Sequence, residues 1–422
     1  TLSSELYRLV MEFLTYSGLK NDRRNKKLLL LRNLLDKNLY REFDAEYNST
    51  KSDNAPGENS ERRGSAANFL ESFRVGYIYN EYAWKRSDME GLYNGLLSST
   101  DDALAFALIT AYKFMDTKDT AAVTFNIKTG KTFADILLGT LDNEKMLTAL
   151  KEHYPELYPY VHINYLVYMM NRNKSEMNDE SLLHYRRLKD TVEKDRDAFG
   201  HREKYMLYQA LENYMAMRLE QNQQEKENYK ELFEVYKSSL EQGVYKVSKE
   251  NSIEPTVFRN ILMTACDMNE FEWAEGFIEK YSVELPEEFV ESMKSHAYAT
   301  LYFNKGEYER ALKHIINIKY DYLRHKIDVK VLQFKIFYEL GEYEPAYSIL
   351  DTLRHYFSST EEISPLMRTR CNAFIKYSGE LLRVKTSVSR TGAGTADEIL
   401  VRLEKESAVE SGAWLAKKLK GI

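Results

Sequence analysis

Apolar residues recur three and four positions apart along most of this chain, the spacing that lines up one face of an α-helix. The first run, Leu2 to Tyr16, places Leu2, Leu6, Leu9, Val10, Phe13 and Leu14 on such a face. Lys26 to Tyr47 repeats it through Leu30, Leu34, Leu35, Leu39 and Phe43 and predicts a second helix. The pattern then stops. Residues 48–65 (NSTKSDNAPGENSERRGS) are rich in Gly, Ser, Asn and charge, and predict a solvated linker. Beyond it the spacing predicts helices over Ala66 to Lys85, Met89 to Leu97 and Asp101 to Met115, with Ser99, Thr100 and Asp101 supplying N-cap oxygens. Between 117 and 150 the signal weakens: Ala121 to Ile127 fits a strand or a helix, Gly130 and Gly139 interrupt, and context favours helix. From Pro155 the rhythm returns, with helices over Leu157 to Met170, Ser181 to Lys194, Phe199 to Leu219 and Tyr229 to Leu240. Short polar segments join them, the connection that makes neighbours antiparallel.

Three later segments repeat one another. Their turns are Asn269-Glu270-Phe271, Gly306-Glu307-Tyr308 and Gly341-Glu342-Tyr343. Five residues after the Asn or Gly stands Ala274, Ala311 or Ala346, followed by Ile278, Ile315 or Leu350 and then Tyr281, Ile318 or Leu353. Seven before it stands Leu262, Ala299 or Phe334, and four before it Ala265, Tyr302 or Phe337. The turns are 37 residues (306 − 269) and 35 residues (341 − 306) apart, near the period of a two-helix repeat. Gly or Asn tolerates the positive φ that ends a helix, the aromatic folds over the turn, and Ala lets two helix axes approach.

On these residues the segment 255–357 resembles the tetratricopeptide-repeat family. The resemblance implies an all-α fold, a right-handed α-solenoid of antiparallel helical hairpins, here with a helical N-terminal region. The turn residues are missing from the hairpins before 250, so the match covers about a quarter of the chain. The organisation predicted is N-terminal helices over 1–47, a flexible loop over 48–65, a helical region over 66–150, helical hairpins over 151–254, three repeats over 255–357, and a degenerate repeat with capping helices over 358–422. In the last segment a helix is expected over Pro365 to Val384, a loop over Thr386 to Thr395, and closing helices over Ala396 to Glu406 and Gly412 to Leu419. Trp414, Leu415 and Leu419 are placed to cap the stack, and Lys417, Lys418 and Lys420 to complement a helix C-terminus.

Composition narrows the function. Only 7 Pro and 18 Gly in 422 residues leave few breaks, and 32 Tyr suit half-exposed helix pairs in which the ring packs and the hydroxyl reaches water. The net charge of −6 gives no general attraction to phosphate, and residues 251–360 hold 12 Lys and Arg against 18 Asp and Glu, which disfavours a nucleic-acid track. Cys266 and Cys371 are too far apart in sequence to read as a metal motif and fit a reducing compartment. No apolar run reaches the length of a membrane span, so no transmembrane segment is expected and the cytoplasm is the expected location. The chain begins at Thr1 rather than Met, with which a removed leader is compatible.

Candidate chemistry is sparse. Thr129-Gly130-Lys131-Thr132 echoes the end of a phosphate-binding loop, but Phe125 stands where its first Gly belongs. The eight His include no zinc-protease pair, and the acidic pairs Asp101-Asp102 and Glu361-Glu362 stand at expected helix starts, where they complement the dipole. No cofactor and no catalysis is expected. The repeat geometry implies a concave face lined by Arg259, Met263, His296, Thr300, Phe303, Lys335 and Tyr338, and a non-catalytic protein- or peptide-binding scaffold. The Lys, Asn and Arg set with which the family grips a terminal carboxylate is absent. The alternatives are a helical-repeat nucleic-acid binder, and a ligand sensor or enzyme with its site in the N-terminal half.

Overall fold

The computed structural model describes residues 2–54, 65–125, 130–172, 177–194, 198–221, 226–248, 250–316, 318, 323–359, 365–386, 395–406 and 409–422. Among them are twenty α-helices and no β-strand. None of these helices is long and apolar enough to cross a membrane. The chain divides into two compact units, Thr1–Asp119 with Thr129–Leu207, and Thr120–Lys128 with Tyr208–Ile422.

The first unit holds α1 (Leu2–Asn21), α2 (Arg23–Asp36), α3 (Tyr40–Asn54), α4 (Ala66–Lys85), most of α5 (Met89–Phe125), α6 (Phe133–Thr140), α7 (Asn143–His153), α8 (Tyr158–Asn171), α9 (Asp179–Lys194) and the start of α10 (His201–Gln221). Leu28, Leu31 and Leu35 of α2 meet Phe43 of α3 and Val75, Ile78 and Tyr82 of α4 in one buried cluster. Phe43 stacks on Tyr82 at 4.3 Å and Tyr47 on Tyr79 at 4.4 Å, so tyrosine supplies packing surface as its abundance suggests.

Three expectations here need correction. The helix expected over Lys26 to Tyr47 is broken at Asn38, whose φ of 57° reverses the chain between α2 and α3. The linker expected over 48–65 is helical as far as Asn54, residues 55–64 lie outside the described residues, and Ser65 accepts from the Asn68 amide at 3.2 Å to cap α4. The two helices expected between Met89 and Met115 are one. Its hydroxyls find partners without ending it: Ser99 Oγ accepts from Asn80 Nδ2 at 3.2 Å, and Thr100 donates to the Leu96 carbonyl at 2.8 Å. Residues 121–125 are helical, as context suggested, whereas 126 and 127 lie outside the described residues. Thr132 of the phosphate-loop echo caps α6 through a capping box with Asp135.

The second unit continues with α11 (Lys226–Glu241), α12 (Pro255–Asp267), α13 (Phe271–Tyr281), α14 (Glu287–Asn304), α15 (Tyr308–Ile315), α16 (Leu323–Leu340), α17 (Tyr343–Ser359), α18 (Pro365–Thr386), α19 (Ala396–Glu404) and α20 (Gly412–Lys420). From α11 to α20 each helix packs on the next, and α12, α14 and α16, the first helices of three hairpins, also pack on one another. The three repeated turns share one geometry. Asn269, Gly306 and Gly341 have φ of 58°, 79° and 77°. Each donates its amide to the carbonyl three residues back, at 3.0, 3.1 and 3.1 Å, and the next residue donates to the carbonyl five back at 2.9 Å, the Schellman pattern that satisfies a helix end. The repeated apolar positions are the core: Ala274, Ala311 and Ala346 are fully buried, and so are Ala299 and Phe334.

That turn is not confined to the repeats. Asn38, Ser87 and Gly243 have the same positive φ and the same pair of hydrogen bonds. At the far end, Leu415 and Leu419 of α20 are buried with Phe374 and Leu381 of α18, and Trp414 packs beside them. Lys418 pairs with Glu339 at 2.6 Å and Lys420 with Glu404 at 3.3 Å, while Thr395 caps α19. Of the loop expected over Thr386 to Thr395, Thr386 ends α18 and 387–394 lie outside the described residues.

Candidate functional site

Arg259 and Met263 of α12, His296, Thr300 and Phe303 of α14, and Lys335 of α16 line one cleft in the second unit. The three helices lie side by side, and the i, i+4 spacing of Arg259/Met263 and His296/Thr300 sets each pair on the inward face. The cleft is small, about 80 Å³. The seventh residue expected on this face, Tyr338, is not in it. It lies one helical turn beyond Lys335, where its ring packs edge-on against Trp414 at 5.3 Å and Tyr343 at 6.0 Å.

The floor is a chain of paired charges. Arg259 Nη2 donates to Asp328 Oδ1 at 3.0 Å and its Nε to Asp328 Oδ2. Arg324 also lies 3.0 Å from Asp328 Oδ1 and reaches Glu410 at 3.3 Å. Burial alone would raise the Asp328 carboxyl, but the guanidiniums of Arg259 and Arg324 outweigh it and keep it below its usual value. Burial likewise works against the Arg324 charge, and Asp328 and Glu410 outweigh it, so the guanidinium is held more firmly protonated than usual.

Two further groups define what the cleft does. The His296 ring, edge-on to His325 at 5.3 Å, is pushed down to about 3 by burial, so it stays neutral at ordinary pH and offers no imidazolium for acid catalysis. Lys335 places its ammonium 4.9 Å from the centre of the Phe303 ring and 5.9 Å from that of Trp414. Among the described residues no carboxylate pairs with it, and burial, partly offset by Asp267 and Glu410, lowers its affinity for a proton.

Asp328 and Glu410, the acidic half of this network, were not expected from sequence. The i, i+4 pair Arg324/Asp328 is legible as a helix pair, but nothing in spacing joins Arg324 to Glu410 across 86 residues.

Other candidates disperse. Asp101 and Asp102 lie inside α5 rather than at a helix start, and Asp102 is pushed up to about 6, first by burial and then by Asp101. Glu361 and Glu362 lie outside the described residues. Cys266 and Cys371 are free and buried, and burial pushes both thiols up to about 12, which leaves no thiolate for nucleophilic chemistry. Among the described residues no group of three or more His, Cys, Asp or Glu is arranged to hold a metal ion. Compared with known proteins, the chain matches no family profile, no curated protein and no solved structure.

Proposed function

We propose that this chain is a non-catalytic protein- or peptide-binding scaffold, a right-handed solenoid of tetratricopeptide-like hairpins that receives its partner on the face formed by α12, α14 and α16. The observation that carries this reading is the convergence of six side chains from the first helices of three successive hairpins on one cleft. Its size supports a side chain as occupant rather than a whole small molecule, whose sites run to roughly 300–1,000 Å³. Its chemistry supports binding over catalysis, because Asp328 and Glu410 are locked in ion pairs and the histidine is neutral. Lys335, backed by Phe303 and Trp414 and, among the described residues, in no ion pair with a carboxylate, is the anchor, and the acidic balance around it disfavours nucleic acid. The two buried, unpaired thiols suit a reducing compartment such as the cytoplasm.

A random peptide library panned against the immobilised full chain tests this. Enriched peptides should lose about tenfold in affinity when Lys335→Met or Met263→Ala is introduced, with the melting temperature held. Peptides indifferent to both changes would remove this face from consideration. Salt-dependent retention of single-stranded RNA on the wild-type chain would replace the reading with a nucleic-acid one.

A further inference from the structure

In the first unit, α1 carries its apolar residues outward. Leu6, Leu9, Val10 and Phe13, at the i, i+3, i+4 and i+7 positions by which a helix docks into a groove, are 45–67% exposed. Tyr7, Met11, Leu14 and Tyr16 widen that surface, while Glu5, Arg8, Glu12 and Thr15 form the narrow polar side. The same unit has an open apolar groove of about 510 Å³ between α2 and α4, walled by Leu28, Leu29, Phe73 and Tyr77. Arg32 and Arg74 stand on it. Arg32 pairs with Glu81, whereas Arg74 has only a 3.3 Å hydrogen bond to Asn25 and, among the described residues, no carboxylate.

A helix with a bare apolar arc and a groove with bare apolar walls thus occur on one chain. The link between them keeps them apart. Only Asp22 separates α1 from α2, and it is fixed at both ends: its amide donates to the Gly18 carbonyl at 3.1 Å, and its carboxylate accepts from the Asn25 amide at 3.0 Å. Folding one helix back along another takes a loop of about two to five residues, so α1 does not reach the groove beside its own α2. An identical helix from another molecule has no such restriction.

We propose that α1 of one molecule docks in the α2–α4 groove of a second copy, and reciprocally, giving a two-fold symmetric dimer. Charge agrees, since Glu5 and Glu12 on the helix meet Arg74 and Arg32 on the groove. So does area. Each docking covers on the order of 400 Å² on the helix and as much on the groove, and the reciprocal pair reaches about 800 Å² per partner, the size of a specific interface. A lipid surface fits less well, because interfacial helices carry Lys and Arg along the polar side, whereas here Glu5 and Glu12 flank Arg8 and the other basic residue, Lys20, stands in the last turn.

Sedimentation equilibrium on the full chain decides the matter. The wild type is expected to be a dimer, and Phe13→Glu and Arg74→Glu are each expected to weaken it by ~10-fold or more. Both positions are exposed or partly so, and unchanged far-ultraviolet circular dichroism and melting temperature show that the fold is kept. Combining Arg74→Glu with Glu5→Arg should return the affinity to within about threefold of the wild type. A wild-type chain that stays monomeric at ~100 μM, or a dimer indifferent to Phe13→Glu, overturns the proposal. So does a monomer that co-sediments with vesicles of equal parts phosphatidylcholine and phosphatidylglycerol and loses that association in Phe13→Glu, which assigns α1 to membranes instead.

Discussion

Asp328 is the residue on which the cleft depends. Its carboxylate is almost wholly buried and held by two guanidiniums, Arg259 and Arg324, the second of which also reaches the buried Glu410. Removing one member of such a network leaves the others charged and dry. Asp328→Ala should therefore lower the unfolding free energy by about 3–5 kcal/mol, read as a shift of the urea midpoint. His296 supplies a separate, pH-dependent test. Its native value near 3 lies below the ordinary 6.5 of an unfolded chain, so between these limits the unfolded state binds a proton that the native state refuses. Stability due to this residue falls as pH drops through that window, by up to about 1.4 kcal/mol per unit. His184 and His314, also lowered by burial, act with the same sign, and Glu212, raised to about 8, with the opposite one. The difference between wild type and His296→Gln isolates the one group: the variant should gain relative stability steadily from pH 6.5 to pH 4, and a constant difference would refute the assignment.

At the scale of helices, the turn explains how far the chain could be read in advance. Gly306 and Gly341 are needed for their positive φ and not for space, since a methyl group at either would touch nothing within 4 Å. Gly306→Ala should cost about 1–2 kcal/mol through the left-handed backbone alone, whereas Gly306→Asn should cost less, as Asn269 already fills the equivalent place. Thermal denaturation of the two variants tests that ordering. The spacing of Asn269, Gly306 and Gly341 was visible because Ala follows each at the same distance. Asn38-Leu39-Tyr40 makes the same turn but has Phe43 in place of that Ala, and the leucines on either side remain in phase, so hydrophobic periodicity ran through a reversal that it does not sense. Ser99 and Thr100 failed in the other direction. Hydroxyls that cap a helix when it starts there instead bonded to α4 and to the preceding turn, and α5 continued.

For the whole molecule, local sequence determined what local forces determine: helix rather than strand, the three hairpins between 255 and 357, the buried character of the residues that recur in them, and the apolar, inward-facing character of Leu415 and Leu419. Six of the seven residues expected on one face meet there because helical register carries over from one repeat to the next. What tertiary structure alone decided is everything that joins distant segments. The division into two units is one such result, and the withdrawal of Tyr338 against Trp414 is another. A third is the Glu410 carboxylate that closes the charge network from 86 residues away. The reason is range: backbone hydrogen bonds and side-chain periodicity act over three to five residues and are written in spacing, whereas the pairing of buried charges depends on which surfaces the packed helices bring together.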